Sequence, residues 1–182
     1  MRTITLFLAA AAVSLCFSQN TQAGQWHQQL TLTFGNPVEI PGHVLEPGTY
    51  LFEVGIGDSS QYENIVRVYN QSHSHLYGMF LTIPDRRLTR TSKPVLEFAK
   101  PTPASPEAIY AWFYPNDKTG HEFVYPRSEA ARLAQANNRP VASMPDTTNI
   151  ADESALKQAH VKAVTPAGQD VETITVFGRT AD

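Results

Sequence analysis

The sequence is most informative first for what it lacks. Of 182 residues only Cys16 is a cysteine, which excludes an internal disulfide and any cysteine-rich zinc module. Charge is sparse: 17% of residues are Asp, Glu, Lys or Arg, and the formal net charge is −3. Without a basic excess to follow a phosphate backbone, nucleic acid is not an expected partner. The usual catalytic signatures are missing too. There is no G-x-S-x-G elbow, Walker loop or dinucleotide-type glycine pattern, and His121-Glu122 lacks the second histidine of a zincin helix. No repeat of 20–50 residues is visible. These absences lean against an enzyme, and no cofactor is expected.

Long apolar runs are equally scarce. The one at the start, Ile4 to Phe17, has 14 residues, follows Arg2, and is succeeded by polar Ser18 to Thr21 and then Ala23-Gly24. This is the layout of a secretory signal peptide over residues 1–23, too short for a membrane span. Leu15 stands before Cys16 where a lipobox needs a small residue, which disfavours a lipoprotein. Cleavage after Ala23 would leave 159 residues with no thiol, a charge of −4 and no membrane span. The expected location is periplasmic or extracellular. A domain of that size buries roughly 70% of its unfolded surface, enough for a core without disulfides.

What the sequence does contain is alternation. Trp26, Leu30, Leu32 and Phe34 share one face of a period-2 pattern, as do Tyr50, Phe52 and Val54. Val38–Ile40, Ile65–Tyr69, His75–Ile83, Val95–Phe98, Ile109–Tyr114 and His121–Tyr125 complete eight short strand-like segments, separated by Pro- and Gly-rich turns. His75–Ile83 is apolar on both faces, with Tyr77, Met79, Leu81 and Ile83 on one and Leu76 and Phe80 on the other, as in a strand covered on both sides. With no β-α alternation evident, the pattern predicts a mainly β fold, an antiparallel β-sandwich over 24–140, with a small β-barrel as the alternative. A helix capped by Ser128 is expected over 129–136, ending at Asn137-Asn138 before Pro140. Residues 141–182, poor in large apolar side chains, read as a loosely attached, partly disordered tail carrying a weak helix near Leu156 and a terminal strand from Val171.

Four groups of residues could carry chemistry. Tyr110, Trp112 and Tyr114 alternate along one strand, and with Tyr125 and His121 they could form an exposed platform for a sugar ring or protein; the rival is a strand buried on both faces. His73 and His75, two apart, would share a strand face and could bind metal if His121 or His43 supplied a third donor. Otherwise they are turn and strand-start residues. Arg86, Arg87, Arg90 and Lys93 place four cations in eight positions, which could meet an anionic polysaccharide, phosphate or membrane headgroup, or simply be solvated. Carboxylates Glu39, Glu53, Glu63, Glu97 and Glu122 are scattered over expected strands, where two could meet as a glycosidase pair.

Leu45-Glu46-Pro47-Gly48-Thr49-Tyr50, His75-Leu76-Tyr77-Gly78, Ala111-Trp112-Phe113-Tyr114-Pro115 and Glu122-Phe123-Val124-Tyr125-Pro126 resemble segments of a family of exported bacterial β-rich proteins without an established activity. The resemblance covers roughly residues 24–145. It implies export and a bacterial source, and supplies no catalytic or binding residue. The leading expectation is therefore a non-enzymatic exported β-domain that binds another envelope or extracellular component, protein or glycan. The alternatives are a small β-barrel holding a metal or apolar ligand, and a hydrolase acting on envelope polymers.

Overall fold

The structure, a computed structural model, describes residues 28–54, 64–101 and 105–173. The expected signal peptide, Trp26 and Glu63 lie outside them. The first nine strands are β1 (Gln28–Phe34), β2 (Val38–Ile40), β3 (His43–Leu45), β4 (Gly48–Val54), β5 (Ile65–Asn70), β6 (Leu76–Arg86), β7 (Val95–Ala99), β8 (Glu107–Phe113) and β9 (Thr119–Phe123). After them come β10 (Tyr125–Pro126), α1 (Arg127–Asn137), β11 (Val141–Met144), α2 (Glu153–Gln158), β12 (Lys162–Val164) and β13 (Asp170–Val171).

Strands β1 to β9 form one sheet in the order β1-β4-β5-β6-β9-β8-β2-β3, with β7 on the other side of β8. The eleven-residue β6 belongs to both halves: its first part pairs with β5, and Thr82 to Arg86 pair with β9. Strands β4 and β8 stand four steps apart in this order. In a flat sheet that is about 19 Å. Yet the Phe52 and Trp112 rings are 6.2 Å apart, edge to face. The sheet therefore folds over at β6, and its halves face each other across a core that also holds Phe34, Phe80 and Phe123. The fold is mainly β and sandwich-like, as the alternation predicts. It is not closed into a barrel, so the barrel alternative falls.

Two bulges alter the expected faces. Val68 pairs with Gly78 but Tyr69 with Leu76, which leaves Tyr77 as an extra residue in β6. Such an insertion breaks the period of two, and Tyr77 leaves the company of Met79, Leu81 and Ile83 to pack on Tyr50 at 5.1 Å. In the same way Glu97 pairs with Ala111 but Phe98 with Ile109, so Tyr110 is the extra residue in β8.

The expected tail is the largest correction. In residues 141–173, Val141, Ala142, Met144, Leu156, Ala163 and Val164 are each at most 2% exposed. Strands β10 to β13 form a second sheet, in which β10 and β11 run parallel with α1 as the crossover. A β-α-β unit is thus present across the boundary expected at 140. A two-residue strand containing Pro126 carries no periodicity from which to read it. The even-numbered face of β11 and Leu156 of α2 pack with Ile65, Leu81 and Val124 in a second cluster on the outer side of β5 and β6. Leu156 lies on the expected short helix, capped by Asp152, whose Oδ1 accepts the Ser154 N–H at 2.8 Å. Residues 174–182, the rest of the expected terminal strand included, lie outside the described set.

Helix α1 buries Ala130, Leu133 and Ala134 as expected, and Asn138 ends it in the left-handed region at φ 50°. Its start differs: Ser128 does not cap it. Asp146 reaches in from beyond β11 and accepts both the Ser128 N–H and Oγ–H, at 2.9 and 3.0 Å, where a carboxylate also suits the positive end of the helix dipole.

Candidate functional site: a pinned basic loop

The aromatic ladder is not a platform. Every residue of β8 after Glu107 is buried, Trp112 completely. With β7 along one edge and β2 and β9 along the other, β8 lies inside the fold, and burying the largest apolar ring dominates its orientation. Tyr125, 1% exposed, donates its hydroxyl to the Ile109 carbonyl at 2.7 Å. Tyr110 lies under the Arg139 guanidinium, 3.1 Å from the ring centroid. Burial pushes both phenols far above their ordinary titration range, with neighbouring carboxylates adding to the shift. Tyr114 is half-buried against Trp112.

The three histidines do not converge. His73 lies in the expected turn, where it adopts φ 57°, and His75 stands just before β6 instead of beginning it. His73 Nε2 sits 3.2 Å from Glu53 Oε1, whereas exposed His75 packs edge-on to Tyr77 at 4.8 Å. His121 stacks near Trp112, with Nδ1 3.3 Å from Thr82 Oγ1. Burial lowers its pKa from 6.5 to about 4, and Asp117 acts weakly the other way. His43 packs near Tyr77. Among the described residues no group of three or more His, Cys, Asp or Glu is placed to hold a metal ion.

The carboxylates are no better assembled for hydrolysis. Glu39 is buried and paired with Arg132; Glu53 accepts from Gln29 Nε2 at 2.6 Å. Glu97 and Glu122 flank Ala111 from either side and share a sheet face, about 10 Å apart by strand spacing. Glu122, however, is only 1% exposed and is hydrogen-bonded with Tyr110, so a polymer cannot reach it. An open groove of about 430 Å³ lies by Phe34, Pro37, Phe98, Pro101 and Pro106, and none of the candidate binding, metal or anion residues lines it.

The basic loop between β6 and β7 is built differently from a solvated run. Arg87 is half-buried and spends its whole side chain inward. Its N–H donates to the Lys118 carbonyl at 3.0 Å, Nε and Nη2 donate to the Asp117 carbonyl at 3.2 and 3.1 Å, and Nη2 donates to Thr91 Oγ1 at 2.8 Å. The guanidinium also stands 4.9 Å from the Phe113 ring centroid. That ring is in turn pressed on β9 at Gly120, where an added Cβ would collide with it. Thr91 continues the lock, donating to the Lys93 carbonyl at 2.7 Å and accepting the Asn116 N–H on its own carbonyl at 2.7 Å.

Arg87 is therefore a strut, not an anion ligand. The strut leaves Arg86, Arg90 and Lys93 exposed, with no side-chain ion pair or hydrogen bond among the described residues, and Lys118 is likewise exposed on the adjoining β8–β9 turn. Between Arg86 and Arg90 stands Leu88, 94% exposed; the other exposed large apolar residues among those described, Val44, Leu76 and Phe98, are at 38–40%. Leu88 and Lys118 were not among the residues singled out in the sequence. The available signal was a lone apolar residue inside an otherwise polar, basic loop.

No protein-family model, curated protein or solved structure matches this chain.

Proposed function

We propose that the chain is an exported, non-enzymatic β-domain of bacterial origin whose β6–β7 loop binds an anionic component of the cell envelope. The observation that carries this reading is the loop's division of labour. One cation, Arg87, fixes the backbone from inside, and three others stand free beside it in a chain of net charge −3. Long-range attraction alone would not single out this loop in an acidic protein; a preorganised local cluster does. The N-terminal pattern over residues 1–23 supports export.

The test is retention on an immobilised sulfated polysaccharide, used as a polyanion probe. The triple variant Arg86→Ser, Arg90→Ser, Lys93→Ser should elute at clearly lower salt than wild type, with an unchanged far-UV spectrum. Equal elution of the two proteins, or no retention of wild type, sinks the reading. N-terminal sequencing of protein recovered from the host envelope should begin at Gly24.

A further inference from the structure

We infer that the anionic component met by this loop is a lipid bilayer surface, an inference that rests on the loop being an anion contact at all. Leu88 distinguishes the bilayer from other polyanions. A soluble sulfated or phosphorylated polymer gains little from a leucine projecting 94% into water. The boundary between lipid headgroups and acyl chains gives that side chain somewhere to go.

The geometry is that of a rigid peg. The backbone on either side of Leu88 is fixed by the Arg87 and Thr91 hydrogen bonds to Asp117, Lys118 and Asn116, so seating it sacrifices little conformational entropy. Arg86 and Arg90 flank the peg two residues to either side, and Lys93 and Lys118 stand nearby. The local carboxylates, Asp85 and Asp117, are turned to the backbone, their Oδ1 atoms accepting the N–H groups of Arg86 and Thr119. The local charge remains positive. Each free cation near an anionic leaflet contributes roughly fivefold in affinity, and insertion of one leucine about tenfold. Docking of this strength is reversible: the protein lies on the bilayer and does not enter it.

The experiment is co-sedimentation of the processed protein, its N-terminus checked by mass spectrometry, with vesicles. Phosphatidylglycerol mixed with phosphatidylcholine is compared with phosphatidylcholine alone at low ionic strength. Wild type and variants are identical outside the loop, so any other membrane contact cancels. Expected are binding to the mixed vesicles only and a drop of about tenfold for Leu88→Ser, with polysaccharide retention unchanged. The Arg86→Ser, Arg90→Ser double variant should weaken both. Polysaccharide retention without vesicle binding, or a Leu88→Ser protein that sediments like wild type, overturns the lipid inference and leaves a soluble polyanion as the partner. Retention on neither surface overturns the reading of the loop and the inference together.

Discussion

Strand β6 carries two unlike cores on its two faces. The cluster between the folded halves of the sheet contains, among the described residues, twenty-five buried ones, nine of them aromatic, interlocked through edge contacts such as Phe34–Phe52 and Phe52–Trp112. The cluster on the outer face has, among the described residues, six, Ile65, Leu81, Val124, Ala142, Met144 and Leu156, with no aromatic ring among them. The first holds the large aromatic surfaces and also takes in Val141 and Val164; the second is an aliphatic seam that completes the fastening of residues 141–173 to the sandwich. The difference teaches that attachment of a segment does not depend on large side chains. Small and aliphatic residues suffice where the complementary face, here Met79, Leu81 and Ile83, is already presented by a rigid strand.

The largest effect should come from the first core. Trp112→Ala removes a fully buried indole and should destabilise the whole domain by about 4 kcal/mol, read as a shift of the urea midpoint with cooperativity retained. If the loss were confined to the amides of one half of the sheet, the two halves would not share a core.

Next comes Leu156→Ala, with a cost of about 3 kcal/mol. Its signature should be local. Amide exchange should accelerate through α2 and β11–β12 while the β4 and β5 amides keep wild-type protection. Uniform acceleration in both regions would erase the distinction between the two cores.

The third effect is smaller and acts in the opposite place. His121 lies beside Trp112 in the first core, and the second has no titratable group among its buried members. Burial holds His121 neutral down to about pH 4 in the folded protein, whereas the unfolded chain binds a proton below about 6.5. The unfolded state therefore takes up more protons between those values, and stability falls as pH drops from about 6.5 to 4. The ring is partly exposed, so the loss is on the order of 2 kcal/mol. Glu129, whose pKa is raised mainly by burial, offsets part of it because its folded form protonates first on acidification. His121→Asn should flatten the decline in urea midpoint over that window; an unchanged decline would remove His121 as its source.

How much of this was legible in the sequence follows the same division. Alternating aromatics over Leu30–Phe34, Tyr50–Val54 and Ile109–Phe113 located the strands of the first core, because period-2 patterning is the direct trace of one buried face. The β3 strand went unread: three residues after a Pro-Gly turn are too few for a period. The short helix at Leu156 was legible, but the packing of residues 141–173 went unread because Ala142, Ala163 and Ser143 are buried by being small, a property that composition does not separate from a polar tail. The faces of Tyr77 and Tyr110 were hidden by single-residue bulges, which depend on the partner strand. In the loop the sequence supplied the four cations. It could not say that Arg87 would turn inward to the Asp117 carbonyl and thereby hold Leu88 out.

The Glu39–Arg132 pair described above is one of three connections that span very long stretches of chain. Arg132 reaches Glu39, Glu129 receives the Gly42 N–H, and Arg67 grips Glu153, joining residues 93, 87 and 86 positions apart. Contacts so distant in sequence delay folding, since the intervening loop must close before any of them forms. A growing chain cannot complete either face of β6 until its last third has left the ribosome. Such lateness keeps the chain open while it is still being made, which the export proposed above would require.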